Sequence, residues 1–142
     1  DVSTTWTEAE LLPFAELIHL GLADMVMTAH VYNARLDPKH PATLSRAVIT
    51  GLLRGTLGYK GVVVTDDLQM RAVASHYGLK EALGLAGNAG ADVLVLGNHL
   101  EHHEKLAPLV LDLLMELLQR RNSTKQPRSS NVSCARDLCE AS

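Results

Sequence analysis

The sequence predicts a parallel α/β fold of three strands alternating with helices, and three observations predict it. Asp24 to Ala29, Gly61 to Thr65 and Ala91 to Leu96 are short runs apolar at successive positions, the pattern of strands covered on both faces. Amphipathic segments at helical spacing lie before, between and after them. Successive strands begin about 30 to 37 residues apart, the repeat of a strand, a right-handed crossover helix and the next parallel strand.

Thr7-Glu8-Ala9-Glu10 has the form of a capping box, and Leu11, Phe14, Leu17, Ile18 and Leu20 follow at helical spacing. A helix is expected from about Glu8 to Leu20, closed by Gly21 in the left-handed conformation. The first strand comes next. His30 to Leu44, with Pro38 and Pro41, reads as a long connection, and Ser45 as the N-cap of a helix holding Ala47, Val48, Ile49, Leu52 and Leu53. Gly58-Tyr59-Lys60-Gly61 turns the chain into the second strand, whose valines are apolar on both parities. Two helical pieces, Met70 to Ser75 and Lys80 to Ala89, are separated by Tyr77-Gly78. After the third strand, Glu101 to Arg121 carries Leu106, Leu109, Val110, Leu113, Leu114, Leu117 and Leu118 on one face, with Arg120 and Arg121 suited to the end of the helix dipole.

The chain of 142 residues has room for one domain, expected over residues 1–121. From Asn122 the composition turns to Ser, Asn, Lys, Arg and Pro without periodicity, so 122–142 is expected to be a disordered tail. That tail holds the only cysteines, Cys134 and Cys139, which excludes a disulfide framework for the core and leaves the compartment open. Two glycosylation sequons, at Asn122 and Asn131, fall there as well. A net charge of −3, with 46% hydrophobic and 20% charged residues, offers no cationic stripe for a nucleic acid. No apolar run reaches the roughly 18 to 20 residues of a membrane span. Because the first residue is Asp, the chain is expected to be a processed product or a piece of something longer. Three strands with open edges likewise point to missing neighbours.

Catalytic groups of parallel α/β folds gather at the C-terminal ends of strands, where His30, Asp66 and Asn98 stand here. Asp66 and Asp67 are adjacent, so they cannot both face one pocket. Either one serves chemistry, or one caps the following helix. His99, His102 and His103 with Glu104 have a spacing that suits a metal, but a solvated first helical turn accounts for them, and no metal or other cofactor is expected.

Gly61-Val62-Val63-Val64-Thr65-Asp66-Asp67-Leu68-Gln69-Met70 resembles the nucleophile segment of family 3 glycoside hydrolases, and Met27-Thr28-Ala29-His30-Val31 resembles the preceding strand of that family. Leu36-Asp37-Pro38, Pro41-Ala42-Thr43-Leu44-Ser45, Leu52-Leu53-Arg54 and Leu57-Gly58-Tyr59 fit the connection between them. The resemblance covers about residues 1–100 and implies the C-terminal portion of a (β/α)₈ barrel, incomplete here, of the β-N-acetylhexosaminidase type. It implies Asp66 as the nucleophile of a retaining glycosidase and Asp67 as a supporting group. In that chemistry a carboxylate forms a covalent glycosyl ester, while a second group about 5 to 5.5 Å away protonates the leaving oxygen. His30 either donates a hydrogen bond to Asp66 or lines the sugar pocket, or else is satisfied by backbone groups at a loop start. Met70 either walls the sugar site or packs in the core.

The resembled subgroup places its acid/base His in a Lys-His-Phe/Ile-Pro-Gly-His-Gly segment, which this sequence lacks; Lys39-His40-Pro41 matches only three letters of it. The full-length parent is therefore expected to hydrolyse terminal β-linked N-acetylglucosamine, as in peptidoglycan fragments, with little activity in these 142 residues alone. The carbohydrate is the expected partner. The alternatives are a β-glucosidase of the same family and a non-catalytic α/β module that binds a partner chain through its open edges.

Overall fold

A computed structural model describes residues 1–98 and 102–125, the last five of these by backbone alone. It is an α/β fold built on a small parallel sheet. A 3₁₀ turn, Glu8–Leu11, leads into helix α1, Leu12–His19. The single helix expected here is split because Pro13 has no N–H to offer the preceding turn, so the α-helix restarts at its own first turn. The Thr7 amide donates to Glu10 Oε1 at 3.1 Å. Gly21 ends α1 at φ +68°, as expected of a residue without Cβ.

Strand β1, Met25–Met27, pairs in parallel with β2, Val62–Val64, with Met25 opposite Val62 and Met27 opposite Val64. Between them a 3₁₀ turn, Ala42–Leu44, precedes a π helix, Ala47–Thr56. Ser45 closes its N-terminus, accepting the Val48 amide on Oγ and the Ile49 amide on its carbonyl. The helix expected there is thus wider than an α-helix, with the Leu57 amide bonded to the Leu52 carbonyl. Helix α2, Arg71–Ala74, α3, Leu79–Ala89, and α4, Leu106–Lys125, complete the order.

The third expected strand needs correction. Residues 92–95 run alongside β2, but they share only one bridge, Val93 with Val64. Asp92 and Val93 both donate to the Val63 carbonyl, and the Asp92 carboxylate takes the Val63 amide at 2.8 Å. A side chain thus occupies a ladder position and interrupts the regular pattern. Arg54 holds the same end of the sheet, reaching Asp92 at 2.6 Å and the carbonyls of Gly61 and Gly90.

The helices cover only one face of the sheet. Val63 is fully buried among Ile49, Leu53, Tyr59 and Ala89, with Val26 packed against them. Leu44, Leu68, Val73, Leu83 and Ala86 form a second core, against which Val110, Leu113, Leu114 and Leu117 of α4 pack. On the opposite face Met25, Met27, Val62 and Val93 are exposed, so the expectation of strands covered on both sides fails there. Val64, between Met27 and Val93 on that face, is buried.

Helix α4 begins five residues later than the expected Glu101, and Leu109 and Leu118 of its expected apolar face are exposed. It also continues to Lys125, into the segment expected to be a tail, because Asn122 to Lys125 carry no Pro or Gly to stop it. The remainder of that expected tail, with both cysteines and Asn131, lies outside the described residues. No described helix is long and apolar enough to cross a membrane.

Candidate active site

The chain leaves β1 through Thr28, Ala29 and His30, and leaves β2 through Thr65, Asp66 and Asp67. Parallel pairing brings the two exits to one end of the sheet, and the Thr28 amide continues it by donating to the Val64 carbonyl. Residues 95–98 reach the same end. The Leu68 amide donates to the Val95 carbonyl, and the Val95 amide to Thr65 Oγ1.

Asp66 is half-buried, and its Oδ1 accepts the Asp67 amide at 2.8 Å. That bond fixes the carboxylate plane, while Oδ2 makes no hydrogen bond among the described residues. Asp67 is oriented otherwise. It is 8% exposed, and its Oδ1 accepts the amides of Gln69 at 2.9 Å and Gly97 at 3.0 Å. The adjacent carboxylates are thus divided by the alternation of extended backbone: one faces outward, the other ties the loop after β2 to the loop after residues 92–96.

His30 does not bond the Asp66 carboxylate. Its Nε2 lies 2.8 Å from the Asp67 carbonyl, which can only accept, so Nε2 carries the proton. Its Nδ1 lies 3.1 Å from Thr43 Oγ1, and Thr43 Oγ1 accepts the Thr28 hydroxyl at 3.0 Å. Both ring nitrogens are therefore engaged by protein groups, one of them backbone. Met70 is 39% exposed rather than packed in the core, and its amide also donates to the Asp67 carbonyl. Asn98, at φ +51°, accepts the His103 amide on Oδ1, and its own amide donates to Gln69 Oε1 at 2.7 Å.

Thr43, Gln69 and Gly97 were not singled out by sequence reasoning. Thr43 sits in a turn without periodicity, and Gln69 and Gly97 act through bonds across 29 and 30 residues that no local pattern signals. The turn itself is held by Asp37, whose carboxylate accepts the Ser45 hydroxyl at 2.6 Å and the amides of Lys39 and His40. Burial alone would raise the Asp37 pKa, but these donors outweigh it and hold the carboxyl below its ordinary value. A cleft of about 710 Å³ opens nearby, lined by Leu68, Gln69, Arg71, Tyr77 and Leu79 but not by Asp66, His30 or Met70. Among the described residues no three metal-binding side chains come together; His102, His103 and Glu104 are exposed, and His99 lies outside the described residues.

The family model of the glycosyl hydrolase family 3 N terminal domain matches residues 3–126. This chain belongs to that family. A β-hexosaminidase of Tolumonas auensis is 41% identical over 98 residues, covering 67% of this chain and 29% of the relative. Two solved structures agree. The family 3 β-N-acetylglucosaminidase of Paenibacillus sp. str. FPU-7 superposes with a TM-score of 0.58 at 40% identity, over 92% of this chain and 28% of its own. The β-N-acetylglucosaminidase of Thermotoga maritima gives 0.68 at 35% identity, over 79% and 24%. The family 3 chain spans under a third of each of these relatives.

Proposed function

We propose that this chain is the C-terminal portion of the (β/α)₈ barrel of a retaining β-N-acetylhexosaminidase, with Asp66 as its nucleophile. The observation that carries the reading is the division between the two carboxylates. Asp66 stands half-exposed at the strand tip with one oxygen fixed and the other uncommitted, while Asp67 is buried and holds backbone. An anion that is oriented but not saturated by donors keeps its nucleophilicity. The bare apolar face of the sheet supports the barrel, since the inner face of a barrel is filled by side chains from all its strands. The folded unit runs through α4, beyond the boundary at residue 121 expected from composition.

The substrate is a carbohydrate ending in β-linked N-acetylglucosamine, of the kind found in peptidoglycan fragments. Asp66 Oδ2 attacks the anomeric carbon as the glycosidic C–O bond breaks, and the leaving oxygen takes a proton from a general acid. Water then attacks the same carbon, gives that residue its proton, and releases the sugar with Asp66 again ionised. Met70, exposed just beyond Asp66, borders the sugar. His30 borders it through its ring and holds the loop through both nitrogens. The relatives' printed names, β-hexosaminidase and β-N-acetylglucosaminidase, support this choice of sugar.

The test uses the full-length parent and aryl β-N-acetylglucosaminide, with aryl β-glucoside as the comparison. Asp66→Asn is expected to lower kcat by about 10³-fold or more, since the covalent step has no other carboxylate of the right orientation. A slow fluorinated substrate is expected to leave its sugar on the peptide containing Asp66. Undiminished turnover, or an ester on another residue, would reject the assignment.

A further inference from the structure

Thr43 is completely buried in the turn before the π helix, yet its hydroxyl lies between Thr28 and His30 rather than on any backbone group. Building on the assignment of Asp66, we propose that Thr43 is a positioning residue that holds the nucleophile's loop through His30. The argument is one of proton accounting. Thr28 donates to Thr43 Oγ1, so the single Thr43 hydroxyl proton is directed to His30 Nδ1. A ring that accepts at Nδ1 must carry its proton at Nε2, and that N–H meets the Asp67 carbonyl at 2.8 Å. The carbonyl so held is that of Asp67, the residue after Asp66, whose own amide is the one that fixes Asp66 Oδ1.

Without the Thr43 hydroxyl, Nδ1 is left without a partner and the ring keeps only one of the two bonds that fix its place, the one to the Asp67 carbonyl. The ring then pivots about that remaining bond, and the loop it holds shifts with it. A misplacement on the order of 1 Å costs about 10²-fold in rate. The effect falls on the attacking geometry, hence on kcat rather than on sugar binding.

In the full-length enzyme, Thr43→Val keeps the shape and removes the hydroxyl, and it is expected to lower kcat roughly 10- to 100-fold with KM changed less than about twofold. Thr43→Ser restores the donor and is expected to stay within about threefold of wild type. Made in a His30→Leu background, Thr43→Val should add no further loss, because its action runs through the ring. Equal impairment of the Val and Ser variants, or full additivity with His30→Leu, would reduce Thr43 to a packing residue and overturn the proposal. Should Thr43→Val fail to fold, Thr43→Ala removes the hydroxyl without leaving any donor, and wild-type kcat in that variant overturns the proposal equally. An active Asp66→Asn enzyme marks failure of the nucleophile assignment instead. An inactive Asp66→Asn enzyme beside a fully active Thr43→Val enzyme refutes the Thr43 role alone.

Discussion

Replacing Asp67 by alanine removes the acceptor that joins two of the three strand-tip loops. Its Oδ1 takes the amides of Gln69 and Gly97, and the side chain is almost wholly buried. A hydrogen bond to a charged group contributes about 1.5–3 kcal/mol. The Gln69 amide, in a partly buried loop, loses that full amount. Gly97 is exposed, so water replaces its acceptor and its share falls below about 1 kcal/mol. The sum is roughly 2–4 kcal/mol, against a typical folding stability of about 5–15 kcal/mol. Asp67→Asn keeps one carbonyl oxygen for both amides and is expected to lose about half as much. Urea unfolding of the full-length protein measures this as a fall in midpoint at constant slope. The substitution also frees the loop after Asp66, so kcat falls while the Asp66 carboxylate remains in place. Asp67→Ala within about 1 kcal/mol of wild type, with kcat unchanged, would refute the division of roles between the two carboxylates.

Gly61→Ala places a Cβ 2.7 Å from Tyr59 Cζ and 2.8 Å from the Asp24 carbonyl. Tyr59 must leave the carbonyls of Asp24 and Val62, which its hydroxyl reaches at 3.1 and 2.9 Å, and the loss is expected to be about 2–4 kcal/mol by thermal unfolding. Asp37 titrates below its ordinary value of 3.8, so its stabilisation is complete above that range and is lost as pH falls through the folded-state value. Between about pH 5 and pH 3 the wild type should therefore lose stability more steeply than Asp37→Asn; parallel curves would deny Asp37 that role. Turnover of aryl β-N-acetylglucosaminide by the isolated 142-residue chain is expected to be negligible, and a rate abolished by Asp66→Asn would contradict that.

The parallel α/β order was legible because it rests on short-range pattern. The three valines of β2, the capping Ser45 and the α3 segment carry their signals within a few residues. The split of the first helix was missed, because the capping box and the apolar spacing were read as one helix from Glu8 to Leu20 and the N–H that Pro13 lacks was not weighed. Other features rest on what lies elsewhere. Met25, Met27 and Val62 read as buried because their chemistry demands cover, and sequence cannot say whether the cover belongs to the same stretch of chain. Asp92 interrupts a ladder by presenting a side-chain acceptor to Val63, which a hydropathy pattern does not register. At the site, Asp66 was visible through its motif, whereas the linkage of His30 to Thr43 and of Gln69 to Asn98 spans 13 and 29 residues and exists only in three dimensions.

The bare sheet face and the well-bonded strand tips make different demands on the rest of the protein. Met25, Met27, Val62 and Val93 together leave apolar surface in water, and covering it contributes about 25 cal/mol for each Å² removed. Stability of this part of the chain therefore depends on what packs there. The tips depend on it far less. His30 to Asp67, Asp67 to Gly97 and Gln69 to Asn98 are closed by partners within residues 28–98. Once the sheet is covered, the loop bearing Asp66 needs no outside group to set its backbone, only one to exchange a proton with the substrate. That separates folding from chemistry: substitutions on the bare face should lower stability without changing the pH dependence of kcat. Met27→Ser is the sharpest case, because Met27 lies beside the tip yet makes no hydrogen bond to it with its side chain. A changed kcat profile in a folded Met27→Ser enzyme would show that the covering groups, and not the network within this chain, set the geometry at Asp66.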